Sequence, residues 1–291
     1  MKKTNMVMLL LLAAPVVAFG DKFVTVKDIS YYPPEALADA GEYQKTRCKL
    51  DLRKPENATN FATVVFFHGG GLVHGSKYFP LSEPSIAQVT VNYRLLQKDG
   101  SVAGDDCIND AAAAVAWTLK NIASYGGDPK KVFVSGSSGG GYLTMMVGMD
   151  RSRLAKWGYS PNDLAGLVPL SGQATKHFNV RKYAGDNDPQ YLPKIDRLAP
   201  LNFCAGDLPP ILSVCGEPPW EWPGRSEENR LLIASCTALG HKSAYFVQVP
   251  YCDHGRSYVA SLPYLLMFVQ GRLPPNLVRP ELSAKEERKG N

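Results

Sequence analysis

The sequence predicts an α/β fold with a mostly parallel central sheet, helices on both faces and a small cap insertion. Three observations point there. Thr63 to Phe67 (TVVFF) is an uninterrupted apolar run, as expected of a strand buried on both faces. Val132 to Val134 opens a second such strand, which passes through a Gly/Ser turn straight into the helix-capable stretch Tyr142 to Met149. Strand-like and helical patterns then alternate to the end of the chain, and parallel sheets are connected in that way.

Taken in order, Phe23 to Ile29 and Thr46 to Leu52 alternate apolar and polar residues, which predicts half-buried strands at a sheet edge. Between them Tyr31 to Glu42, rich in Pro and Ala, reads as a turn and a short helix. Gln88 to Tyr93 is the strand after the TVVFF run. From Asp105 to Tyr125, Ile108, Ala112, Val115, Leu119 and Ile122 recur at helical spacing, with acids at the start. Gly126-Gly127-Asp128-Pro129 stops that helix before the strand at Val132. Further strands are predicted at Gly166 to Leu170, Ile211 to Cys215 and Ala244 to Val249, and helices at Glu227 to Leu239 and near Tyr258 to Val269. Ser171 to Leu208 is too long and too irregular for an ordinary connection. It is predicted to be the cap over a pocket beyond the carboxyl ends of the strands.

Length and charge exclude several classes. The chain has 291 residues. Lys2 and Lys3, an apolar run from Met6 to Phe19 and the small residues Ala18 and Gly20 form the pattern of a secretory signal peptide cleaved after Gly20. The expected domains are therefore a signal peptide, residues 1–20, and one domain, residues 21–291, with its cap at about 171–208. The apolar run is shorter than the roughly 20 residues of a membrane span, so export without stable membrane insertion is expected, with an uncleaved anchor as the alternative. Without Lys2 and Lys3 the formal charge of +5 falls to +3. The one dense charge run, Lys285 to Lys289, reads as a solvated tail, and no nucleic-acid module accompanies it. Cys48, Cys107, Cys204, Cys215, Cys236 and Cys252 show no C-x-x-C and no zinc-ligand spacing, so no metal is expected. They are read as buried residues or disulfide partners of undetermined pairing. No cofactor is implied, and the oligomeric state is left open.

The chemistry-bearing pattern is Gly136-Ser137-Ser138-Gly139-Gly140. Ser138 occupies the serine of G-x-S-x-G between a strand and a helix, the context of a nucleophile elbow. The flanking glycines are needed because a sharp turn brings backbones too close for side chains. A serine hydroxyl needs a base, an acid behind the base, and donors for the oxyanion. His254, in Asp253-His254-Gly255 after the last strand, is the candidate base. Among the other histidines, His241 reads as a surface turn residue, His74 and His68 as braces of the glycine run, and His177 as a cap residue able to face substrate. His68-Gly69-Gly70-Gly71 follows the TVVFF strand, from which backbone N–H groups can reach a carbonyl oxygen. The oxyanion hole is assigned to Gly70, Gly71 and Gly139.

With both motifs in hand, the chain resembles the α/β-hydrolases of the hormone-sensitive-lipase-like and carbohydrate-esterase-like group. The resemblance rests on TVVFFHGGGL, VNYRL, DDCINDAAAAVAWTLKNIASYGGDPKKVFVSGSSGGGYL and the terminal DHG. It covers nearly all of the chain after residue 20 and is similar above all to exported bacterial feruloyl and acetyl-xylan esterase-like members. It implies a secreted serine carboxylesterase that forms an acyl-enzyme on short acyl or feruloyl esters, small or on polysaccharides. Other readings are a non-catalytic binding protein of the same fold, or a serine peptidase or lipase.

One position departs from that family. Its acid usually lies three residues after the glycine that ends the strand before the penultimate helix. Here the glycine is Gly216 and the position holds Pro219. Glu221 is the preferred acid, Glu217 the alternative and Asp253 the last choice. Trp220 and Trp222 flank Glu221 and, with His177, are the expected substrate contacts, since aromatic faces suit a sugar ring or a phenolic acyl group.

Overall fold

A computed structural model of the chain describes residues 23–274 and 277. The expected signal peptide and the basic tail lie outside the described residues. The elements in order are β1 Phe23–Ser30, α1 Pro34–Leu37, α2 Glu42–Arg47, β2 Lys49–Pro55, β3 Phe61–Phe67, β4 Ala87–Val91, α3 Gly104–Asn121, β5 Gly127–Ser137, α4 Gly139–Met149, α5 Arg151–Ala155, β6 Gly166–Leu170, α6 Phe178–Tyr183, β7 Ile211–Gly216, α7 Arg225–Ala238, β8 Ala244–Val249 and α8 His254–Val269.

The eight strands form one sheet in the order β1-β2-β4-β3-β5-β6-β7-β8. β1 and β2 enter antiparallel, and every pair from β4 to β8 is parallel. Strand period sorts the side chains between two cores. Val65, Phe67, Val134, Leu167 and Ile211 pack with residues of α3, α4 and α7 on one face. Val64, Phe66, Phe133, Val168, Leu212 and Val214 meet Leu265 and Phe268 of α8 on the other. α4 is buried on every side, as suits an apolar helix covered by its neighbours.

Several boundaries differ from the sequence expectation, each for a tertiary reason. Thr46 belongs to α2, and β2 starts at Lys49, where Leu50 can pair with Val91 of β4. β5 begins at Gly127 because that residue pairs with Phe61 of β3, although Gly-Gly-Asp-Pro reads as a stop. α8 starts at His254, four residues early, because the Asp253 side chain caps it by accepting from Arg256 N. α5 was not expected. His241, read as a surface residue, is buried: its ring bonds the carbonyl of Pro209 at 3.1 Å and accepts from Ser243 N at 3.0 Å. All six cysteines are free thiols. Among the described residues no helix is long and apolar enough to cross a membrane, and no three His, Cys, Asp or Glu side chains are grouped to hold a metal.

Candidate active site

Four loops at the carboxyl ends of β3, β5, β7 and β8 meet on one edge of the sheet. In open α/β sheets this edge is where ligands bind. The β5–α4 turn places Ser138 at φ 56°, ψ −114°. A non-glycine residue held there costs on the order of 1–3 kcal/mol. The turn tolerates no bulk at its flanks. A Cβ on Gly140 would lie 2.0 Å from the Phe67 carbonyl oxygen, and one on Gly136 2.5 Å from the Gly140 backbone.

From that turn a chain of hydrogen bonds runs inward. Ser138 Oγ donates to His254 Nε2 at 2.8 Å, and His254 Nδ1 donates to Glu221 Oε1 at 2.6 Å. Glu221 reaches the ring because Trp220 N and Glu221 N both donate to Glu217 O, at 2.9 and 3.1 Å. This helical turn folds the residues beyond Pro219 back under His254. Glu217, the alternative acid, accepts instead from Tyr251 N at 3.2 Å. Asp253 is occupied as the cap of α8.

The Glu221 carboxylate is buried and held by more than the imidazole. Oε2 accepts from Ser171 Oγ at 2.8 Å, Gly216 N at 3.2 Å and Ser257 Oγ at 3.3 Å, and Oε1 accepts from Trp222 N at 2.9 Å. Burial pushes its pKa up, but the His254 hydrogen bond and charge, with the Trp222 and Ser171 donors, outweigh it and hold the acid at about 2. A carboxylate with this many donors stays ionised. Ser171 and Ser257 escaped the sequence reading because lone serines at a strand end and inside a helix have no local signature.

The glycine loop faces Ser138. Gly70 and Gly71 take φ of 94° and 59°, values that favour glycine. Their N–H groups make no hydrogen bond among the described residues. A Cβ on Gly139, the first residue of α4, would lie 3.3 Å from Gly71 N, so this N-terminus and the loop border one space. Gly70, Gly71 and Ser138 line one cleft, next to the N-terminus of α4, a setting suited to negative charge. His68 braces the loop: its Nδ1 donates to Gly69 O at 2.7 Å, Nε2 accepts from Arg47 Nη2 at 3.4 Å, and its ring stacks on Tyr93 with centroids 4.4 Å apart.

The site opens to a cleft of about 630 Å³. Its walls include Tyr78, Phe178, Asn179, Trp222 and Tyr258, with Ser138 and His254 at the base. Of the three expected substrate contacts, Trp222 lines this cleft. Trp220 does not: it is 53 % exposed on the outer side of its turn. His177 is also absent from the lining, because it is fully buried between Tyr142 and Phe178. Burial first, then the charges of Arg225 and His254, hold it neutral. Asn179, from α6, is a wall residue that the sequence did not single out.

The model of the BD-FAE family matches residues 50–218, more than half of the chain. The chain belongs to the BD-FAE family. The matched span holds the glycine loop and Ser138 and stops before Glu221 and His254. Esterase-5A of Drosophila pseudoobscura pseudoobscura is 32% identical over 153 residues, covering 47% of this chain and 28% of that protein. The chain thus spans less than a third of the length of that relative. Among solved structures, a truncated carbohydrate esterase from gut microbiota superposes with a TM-score of 0.66 at 18% identity, over 85% of this chain and 96% of that one. Esterase B from Lactobacillus Rhamnosis gives 0.64 at 18%, over 92% and 88%. At such identity these likenesses establish for this BD-FAE member the α/β-hydrolase fold.

Proposed function

We propose that this BD-FAE protein is a serine hydrolase of carboxylic esters. The observation that carries the reading is the unbroken run from Glu221 through His254 to Ser138, set at the base of an open cleft. With the Nδ1 proton held by Glu221, His254 Nε2 is the acceptor. It takes the Ser138 proton as Oγ attacks the ester carbonyl. The tetrahedral oxyanion accepts from the N–H groups of Gly70, Gly71 and Gly139. Collapse expels the alkoxide, which takes the proton from His254 and leaves an acyl-Ser138. Water, deprotonated by the same imidazole, then releases the acid and restores the serine.

A non-catalytic role for the fold requires that no acid supports His254, and the Glu221 contact speaks against it. The finer substrate reading is short acyl or feruloyl esters, small or borne on polysaccharides. It is supported by the aromatic walls Tyr78, Phe178, Trp222 and Tyr258 and by the carbohydrate esterase among the structural neighbours. Export rests on the pattern of residues 1–20.

The test is hydrolysis of p-nitrophenyl acetate by the wild type and Ser138→Ala. Loss of at least about a thousandfold in kcat is expected for the variant, with fluorophosphonate labelling only the wild type. Equal rates in the two proteins would defeat the reading. A panel of acetylated and feruloylated glycans then ranks the substrates.

A further inference from the structure

Every carbonyl of the oxyanion loop is tied down, and one tie comes from α6. Gly69 O accepts from His68 Nδ1 at 2.7 Å. Gly70 O accepts from Val73 N and His74 N at 3.0 and 3.2 Å, and Leu72 O from Leu96 N at 2.8 Å. These holders all belong to the segment following β3 and β4. Gly71 O differs. It accepts from Asn179 Nδ2 at 2.8 Å, across 108 residues of sequence, and Asn179 lies in α6.

Gly71 is also where the loop most needs a tie. Gly70, Gly71 and Leu72 have successive φ of 94°, 59° and 66°, so two glycines precede a strained leucine. Glycine offers little torsional resistance. The Gly71 carbonyl shares a peptide plane with the Leu72 N–H, and the Gly71 Cα alone joins that plane to the one carrying the Gly71 N–H. Without a bond to the carbonyl, rotation about the Gly71 backbone torsions lets that N–H shift. The approach is close: a Cβ on Gly71 would lie 2.7 Å from Asn179 Nδ2. Asn179 is itself set by the start of α6, where its backbone N–H donates to His177 Nδ1 at 3.2 Å. This bond leaves the proton of neutral, fully buried His177 on Nε2.

We infer that Asn179 is a positioning residue that, by holding the Gly71 carbonyl from α6, fixes the Gly71 oxyanion donor, so that the placement of α6 sets transition-state stabilisation. The inference rests on the ester-hydrolase reading and deepens it. Asn179 also borders the cleft, so the experiment must separate aiming from substrate contact.

Asn179→Asp keeps the side-chain volume but replaces the N–H donor with an acceptor facing Gly71 O. Asn179→Ala removes the tie without adding charge. For both, kcat on p-nitrophenyl acetate is expected to fall roughly 10-fold to 100-fold with KM nearly unchanged, as misaimed catalytic groups do. Inhibition by a phenylboronic acid, whose tetrahedral adduct presents an oxyanion, is expected to weaken by a similar factor. Unchanged kcat in Asn179→Ala overturns the inference, as does a rise confined to KM that grows with acyl size, which marks a substrate contact. A loss of thermal midpoint with kcat and boronate affinity intact, which marks a purely structural tie, overturns it too. Those results leave the ester-hydrolase reading standing, since Ser138 labelling in the wild type tests that reading separately. Wild-type protein that is neither labelled nor active brings down the reading itself.

Discussion

Trp222 lies flat against His254, with ring centroids 4.2 Å apart and planes within 15°. The indole is in turn met edge-on by Phe178 of α6 at 5.7 Å and approached by the Arg225 guanidinium at 5.7 Å. The imidazole of a triad must keep both nitrogens aligned while a proton passes. Glu221 fixes one edge of the ring, and Trp222 closes one face to water and to rotation.

Trp222→Ala is therefore expected to lower kcat by about tenfold, since a freely tilting base spends less time in a reactive pose. Trp222→Phe should recover most of the rate. Steady-state kinetics on an acetyl ester decides it. A variant that changes KM alone would make Trp222 a cleft wall and nothing more.

Glu221 and Glu217 can be told apart directly. Glu221→Gln leaves a neutral amide against the ring and favours the wrong tautomer, so kcat is expected to drop about a thousandfold to ten-thousandfold. Glu217→Gln should leave kcat unchanged, because Glu217 bonds the Tyr251 backbone and not His254. Acid stability gives a second readout. The folded pKa of Glu221, about 2, lies below its ordinary 4.5. The stability that it adds is thus present above about 4.5 and lost as pH falls towards 2. Acid titration of unfolding free energy should show that loss in the wild type and not in Glu221→Gln.

His68 makes a prediction in a higher window. Burial, offset in part by the bond to Gly69 O and reinforced by the charges of Arg47 and His74, pushes its pKa from 6.5 down to about 4. Protonation would set a new N–H against the Arg47 guanidinium, which already donates to that nitrogen. A depressed base binds its proton more readily in the unfolded chain. Stability should therefore fall as pH drops from about 6.5 to 4, with a slope for this group of at most about 1.4 kcal/mol per pH unit. Urea unfolding across that range, compared with His68→Asn, isolates the slope. Identical slopes in the two proteins would remove His68 from the account.

Local sterics made much of this site legible. The run Gly136 to Gly140 specifies a sharp strand-to-helix turn because neighbours there would collide with any side chain, and that constraint lies within consecutive residues. The same holds for His68 to Gly71 after a doubly buried strand, and for the apolar runs that mark the central strands. Glu221 was reached by counting along a loop, with Glu217 equally in range. Only the turn that returns both Trp220 N and Glu221 N to Glu217 O separates the two.

The rest depended on which loops meet at the sheet edge. Trp220 and Trp222 have the same composition and neighbours, yet one faces solvent and the other covers His254. Ser171 and Ser257 converge on Glu221 from β6 and α8, and Asn179 reaches Gly71 from α6, though nothing beside them in sequence marks them. A backbone constraint is written in adjacent residues and can be read there. A side-chain contact between distant segments exists only once the strand order has brought their ends together.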